Sequence, residues 1–146
     1  MNQIEPYTRT AFYYETDRMD IIHHSNYIRW FEEARIDFME KIGYSYKRVE
    51  ELGIMSPVLF VDCQYKSPVR FGETVKIYVT QPFFNGVRVE FSYRVESADT
   101  GKLHATGKSG HCFVNGKFQP ISLKKDYPEV YEAYSKYTET GNEKKR

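Results

Sequence analysis

Between Thr16 and Asn26 the sequence reads T-D-R-M-D-I-I-H-H-S-N, placing two carboxylates and two imidazoles directly before a Ser-Asn pair. Asp17 is a residue type that can draw a proton from water as a general base or attack a carbonyl carbon as a carboxylate nucleophile. Ser25 or Asn26 can cap a helix that begins there. A helix start presents unpaired amides and the positive end of the helix dipole, both of which favour negative charge. A reacting carbonyl placed against those amides develops its oxyanion beside ready-made donors, an effect worth about 3–4 kcal/mol per good donor. A carboxylate and a helix start brought to one point therefore suffice for acyl transfer without a metal.

Other readings compete for the same residues. An Asp after a Thr is also an ordinary turn or cap residue. His23, His24, His104 and His111 are metal-ligand types, as are Asp17 and Asp20, but no spacing among them matches a helical HExxH or a similar site, so no metal is expected. His104 and His111 fall in strand-like segments and are expected to be hydrogen-bonded sheet residues. The stretch G-K-S-G after Thr106 lacks the length and context of a phosphate-binding loop.

The loop needs elements to hold it. Residues 7 to 15, YTRTAFYYE, alternate Thr10, Phe12 and Tyr14 against Ala11 and Tyr13, the period of a strand rich in aromatics. From Asn26 the period changes. Tyr27, Phe31, Ala34, Phe38 and Ile42 recur at steps of three and four, which predicts an amphipathic helix closed by Gly43. Glu32 and Glu33 fall off that stripe and are expected to be solvated or to sit at a subunit contact. SYKRVEELG reads as a short second helix ending at Gly53.

Strands follow. PVLFVDCQYKSP and ETVKIYVTQPFF are two, and Asn85-Gly86 is a hairpin signal because both turn positions favour positive φ. VRVEFSYRVES then sets Val87, Val89, Phe91, Tyr93 and Val95 against a polar face, and LHATGKSGHCFV forms the next strand before an Asn115-Gly116 turn towards KFQP. A terminal helix is expected after Pro128, with residues 137–146 as a solvated tail outside a single domain of residues 1–136. A single helix with a wide apolar stripe beside such a sheet suggests an α+β architecture in which the sheet curls around the helix. An edge strand must be covered or paired, so a homodimer is expected.

Composition narrows the partners. With 21 Lys plus Arg against 20 Asp plus Glu in 146 residues, no global field draws the chain to nucleic acid or anionic lipid. No apolar run approaches the roughly 20 residues of a membrane span, and no basic-then-apolar leader opens the sequence, so no membrane association and a cytoplasmic location are expected. Cys63 and Cys112 lack metal-type or CxxC spacing and read as reduced thiols. Aromatics reach 16%, enough to fill a core or to line a cleft for apolar or ring-bearing ligands.

Over about residues 5 to 125 the chain resembles the hot-dog-fold acyl-CoA thioesterases of the 4-hydroxybenzoyl-CoA thioesterase class. The resemblance rests on Asp17, Ile21, Ile22, His24, Asn26 and Tyr27, on the following IRWFEEAR, and on YKSPVRFGETVKIYV, which is similar to the family's Tyr-x-x-Pro strand and Gly-acid turn. It implies an antiparallel sheet wrapped around one long central helix. It implies hydrolysis of an acyl-CoA or acyl carrier protein thioester, with Asp17 attacking the thioester carbon or activating water and the His24 amide polarising the carbonyl. Ile21, Ile22 and Tyr27 would line the acyl pocket, and Lys66 and Arg70 are candidates for the nucleotide phosphates. Coenzyme A would be part of the substrate and no other cofactor is implied. The site would lie between two subunits of a dimer or dimer of dimers. Asp20 departs from the pattern, standing where the family commonly has glycine. A non-catalytic hot-dog protein holding an acyl-thioester or aromatic ligand is the alternative, and a hot-dog dehydratase ranks below both for want of its own motif.

Overall fold

The computed structural model describes residues 4–138. Its frame is a five-stranded antiparallel sheet in the order β1-β3-β4-β5-β2, built from β1 (Tyr7–Thr10), β2 (Val58–Tyr65), β3 (Thr74–Phe84), β4 (Arg88–Ser97) and β5 (Leu103–Cys112). The alternation in β4 is as expected: Val89, Phe91, Tyr93 and Val95 are buried, while Arg88 and Arg94 are exposed. With Val75 and Ile77 of β3 and Ala105 of β5 they form one apolar face of the sheet, a pattern that antiparallel sheets adopt when one side stays wet.

The long helix α1 (Ser25–Lys41) covers that face, burying Tyr27, Trp30, Phe31, Ala34, Phe38 and Met39. Its end follows the sequence signal closely. The Gly43 amide donates to Glu40 and the Tyr44 amide to Met39, the paired bonds of a Schellman motif, with Gly43 at φ +99°. A short α2 (Tyr46–Glu51) follows, its N-cap Ser45 accepting from the Arg48 amide. After β5 come α3 (Leu123–Asp126) and α4 (Pro128–Ser135), the latter with Pro128 in its first turn.

Three local expectations are corrected. The strand of residues 7 to 15 stops at Thr10, and Tyr13–Glu15 coil into a single 3₁₀ turn because the Glu15 carboxylate is drawn inward, as described below. The Asn85-Gly86 turn has positive φ only at Gly86; the Asn85 side chain instead accepts from the amides of Val87 and Arg88, an Asx-type turn. Val87, expected on the apolar face, precedes β4 and is 40% exposed; the Asn115-Gly116 turn forms as expected, the Asn115 amide donating to the Gln119 carbonyl and Val114 bridging Pro120. The expected solvated tail lies outside the described residues except for Tyr137, which packs edge-on to Phe38, and Thr138, which bridges Gln81.

His104 and His111 are buried sheet residues with hydrogen bonds to Glu73 and Ser67 and to Ser109 respectively. Cys63 and Cys112 are free and half-buried. Among the described residues no helix is long and apolar enough to cross a membrane.

Two glycines let the layers approach. A Cβ on Gly107 would lie 2.3 Å from the Phe31 ring, which stacks on Tyr93 at 4.5 Å, and 2.6 Å from the Asp62 carbonyl. The three atoms nearest a Cβ on Gly110 all belong to the ring of Phe60, an exposed side chain on the edge strand that can swing away. Gly107→Ala should therefore cost about 2–3 kcal/mol by overpacking and Gly110→Ala less than about 1 kcal/mol, as read from urea unfolding midpoints; equal costs would contradict this account of helix and sheet contact.

Candidate active site

The loop that carries Asp17 folds back on itself as a narrow hairpin. Thr16 bridges Ile22, the Asp17 amide donates to the Ile21 carbonyl at 2.8 Å, and the Asp20 amide closes a tight turn onto the Asp17 carbonyl at 3.1 Å. This is a type I turn followed by a left-handed residue. Asp20 is that residue, at φ +64°. A side chain there costs strain that glycine avoids, and Asp tolerates it better than most residues. The half-buried Asp17 carboxylate accepts from the Met19 amide at 2.7 Å through Oδ1, which fixes its orientation within the turn.

Glu15 joins this hairpin to the long helix. Its carboxylate is buried and filled with donors: Arg9 Nη2 at 2.8 Å and the Phe12 amide at 2.9 Å on Oε1, and the Trp30 indole N–H at 3.0 Å on Oε2. Its carbonyl accepts from the His23 amide at 2.8 Å and from the Asn26 side chain at 2.9 Å. Arg9 also stacks over Trp30 and Phe12, and its other Nη1 donates to Glu33 at 2.7 Å. Tyr7 donates to the same Glu33 oxygen, so Glu33 is a hydrogen-bond partner of β1 and not the freely solvated residue its position off the stripe suggests.

The helix start differs from expectation. Neither Ser25 nor Asn26 caps it: the N-cap is His24, in helical geometry and without a side-chain cap bond. Asn26 is occupied by Glu15, and the Ser25 amide donates to the His23 ring at 3.2 Å. The two imidazoles stack at 4.2 Å, with His24 exposed. Among the described residues the His24 amide donates no hydrogen bond. An amide in that state at the positive end of a helix is a ready donor for an oxyanion.

The remaining residues divide between core and rim. Ile22 and Tyr27 are both 3% exposed and belong to the core, Ile21 is half-buried, and Lys66 and Arg70 are exposed. Burial pushes the Tyr27 phenol up to about 12, so it stays protonated. Arg70 bridges Ile21, which sets it beside the Asp17 turn, while Lys66 follows the last residue of β2. Two residues missed by sequence reading, Arg9 and Glu15, join the hairpin to the helix, and Tyr65, read in the sequence only as the tyrosine of the Tyr-x-x-Pro stretch, donates to the His24 carbonyl at 3.1 Å. Arg9 and Glu15 are an even number of positions apart with a tryptophan on the facing helix, which is the one signal that could have paired them. A recess of about 320 Å³, lined by residues such as Asp62, Gln64, Tyr78, Arg94 and Lys108, lies on the wet side of the sheet and does not include Asp17.

Residues 13–133 match the family model described as the Thioesterase-like superfamily. The chain belongs to this superfamily. Among relatives it is 33% identical over 125 residues to YneP of Bacillus subtilis (strain 168), to which acyl-CoA thioesterase activity is ascribed, covering 85% of this chain and 90% of that one. A DHNA-CoA thioesterase from Staphylococcus aureus is 35% identical, with a TM-score of 0.85 over 90% of this chain and 89% of that chain. The protein TT1821 from Thermus thermophilus is 32% identical, with a TM-score of 0.85 over 92% and 99%. The fold is thus the hot-dog fold of the thioesterases, and the hairpin, its Asp and the helix start form one contiguous unit in this thioesterase-like chain.

Two substitutions test how that unit is held. Removing Glu15 leaves the Arg9 guanidinium buried with one acceptor fewer, so Glu15→Ala should cost about 3–5 kcal/mol in chemical denaturation, with partial recovery in Glu15→Gln. Asp20→Gly should instead stabilise by about 0.5–1 kcal/mol by relieving the left-handed strain; a loss of stability would mean that the Asp20 side chain makes a contact worth more than the strain.

Proposed function

We propose that this thioesterase-like protein hydrolyses acyl-coenzyme A thioesters to a free acid and a thiol, with Asp17 and the His24 amide as the reacting pair. One observation carries the reading: the hairpin bonds Asp17 to Ile21 and Glu15 to His23, so the segment that ends in a carboxylate lies alongside the segment that ends in an unbonded helix-start amide. The acyl-CoA thioesterase activity ascribed to YneP and the DHNA-CoA thioesterase from Staphylococcus aureus support the substrate class.

The chemistry follows from those two groups. The thioester carbonyl oxygen accepts from the His24 N–H, and the charge that develops on it is stabilised by that donor and the α1 dipole. Asp17 then acts by one of two routes. As a base it takes a proton from water, whose oxygen adds to the carbonyl carbon; the C–S bond breaks and the thiolate leaves as acid forms. As a nucleophile its oxygen adds directly, expels the thiolate and leaves an anhydride that water opens. The Met19 amide bond on Oδ1 fixes the carboxylate and leaves Oδ2 for either task.

A second copy of the chain completes the site in this reading. β2 is an edge strand whose Val58, Leu59, Phe60, Val61 and Tyr65 are all exposed, an unpaired apolar edge of the kind that pairs with another strand. Pairing two β2 edges by a two-fold axis closes a wall beside Tyr27 and Ile21, where the acyl group would lie. Lys66 and Arg70 stand on the rim as charge partners for the phosphates of coenzyme A; an acyl carrier protein is the other carrier they could serve. The φ of Asp20 preserves the turn a glycine would make, so a ligand-holding protein without turnover gains no support from that substitution.

A panel of acyl-CoAs with thiol detection tests the reading. Wild type should release thiol, and Asp17→Asn should be slower by about 10²–10⁴-fold, the usual share of a positioned acid–base group. Equal rates in the two proteins would remove Asp17 from the mechanism.

A further inference from the structure

We infer that Tyr65 is a positioning residue for this reaction, its hydroxyl holding the His24 peptide so that the neighbouring amide stays aimed at the thioester carbonyl. The inference rests on the hydrolase reading above and goes beyond it in naming what orients the donor.

The His24 N–H lies in the peptide plane between His23 and His24, and the next plane, between His24 and Ser25, hinges on the same Cα. The first, between His23 and His24, is fixed through the His23 carbonyl, which accepts from the Asn26 amide at 3.0 Å. The second, between His24 and Ser25, is held on its N–H side by the Ser25 amide, which donates to the His23 ring at 3.2 Å, and on its carbonyl side by a long bond from the Tyr27 amide, at 3.4 Å. The N-cap residue His24 makes no cap bond with its own side chain. The Tyr65 hydroxyl adds the stronger hold on the carbonyl side, donating to the His24 carbonyl at 3.1 Å from the end of a different element, 41 positions away. Losing it would leave the His24 carbonyl with the long Tyr27 bond, and the tilt this allows at the shared Cα would carry the neighbouring amide off its aim.

The phenol is itself well placed to hold. Tyr65 is the last residue of β2 and pairs with fully buried Ala105. The next two amides, of Lys66 and Ser67, both donate to the His104 carbonyl, and the His104 ring is bonded to Glu73 at 2.6 Å and Ser67 at 3.0 Å. The Tyr65 ring stands edge-on to Tyr27 at 5.2 Å and to His24 at 6.2 Å, so it also closes the space between the helix start and the edge strand. A donor aligned by a strand in this way needs no reorganisation when charge develops. Misplacing it by a fraction of an ångström weakens the transition state more than the ground state.

Tyr65→Phe removes the hydroxyl and keeps the ring, and Tyr65→Leu removes both. Tyr65→Phe should lower kcat about tenfold with KM within about twofold and no change in thermal midpoint. Tyr65→Leu should lower kcat similarly and raise KM as well. Amide exchange by NMR should quicken at His24 to Tyr27 in Tyr65→Phe and nowhere else. Wild-type kcat in Tyr65→Phe, or a fall in kcat matched by a fall in thermal midpoint, overturns the assignment. If wild type releases thiol from no acyl-CoA, the hydrolase reading falls by itself; exchange at His24 to Tyr27 then decides Tyr65, with unchanged rates overturning its hold on the helix start and quickened rates upholding it.

Discussion

The buried carboxylate of Glu15 is the interaction on which the loop, the helix start and β1 all depend. A carboxylate taken out of water is costly unless its lone pairs are filled. Here Arg9, the Phe12 amide and the Trp30 indole fill them, and each donor comes from a different part of the chain. The same residue uses its carbonyl to receive His23 and Asn26. One residue thus bends the strand, anchors the hairpin and seats the first turn of α1. Its demand for three donors leaves little room for alternative arrangements of the Asp17 segment.

Packing gives that anchor something rigid to act against. Phe31 lies flat on Tyr93, and Gly107 admits the ring to a distance that no Cβ would allow. Trp30 and Phe31 are adjacent in sequence, so fixing Phe31 on the sheet also fixes the indole that meets Glu15. The helix is held at its start by hydrogen bonds and along its length by apolar contact. Dispersion and burial decide how far α1 sits from the sheet, and the polar bonds decide how it is rotated about the site. The unpaired β2 edge runs beside this arrangement, and Tyr65 at its end ties the edge to the helix start.

Much of this was legible in the residues. The 3.6-residue stripe from Tyr27 to Ile42, the Gly43 stop and the strict alternation of β4 are local signals backed by strong burial, and the structure follows them. The failures share a cause. Residues 13–15 look extended by alternation, yet the tertiary pull of Arg9 and Trp30 on Glu15 wins over local preference. Ser25 and Asn26 are good caps in isolation, but His23 and Glu15 claim them first. Asn85 bonds the amides of Val87 and Arg88 with its side chain and avoids the positive φ that its type allows.

What the sequence by itself determined is the order of elements, the apolar faces and the identity of Asp17 and His24 as neighbours of a helix start. Periodicity and short motifs encode these because they depend on residues close along the chain. Only the tertiary structure decided that Glu15 is buried with Arg9 and Trp30, that Glu33 answers β1, and that Tyr65 reaches the His24 carbonyl. Those contacts join residues between 6 and 41 positions apart. Their formation depends on the register of strands and the rotation of a helix, quantities that a pattern along one chain does not carry.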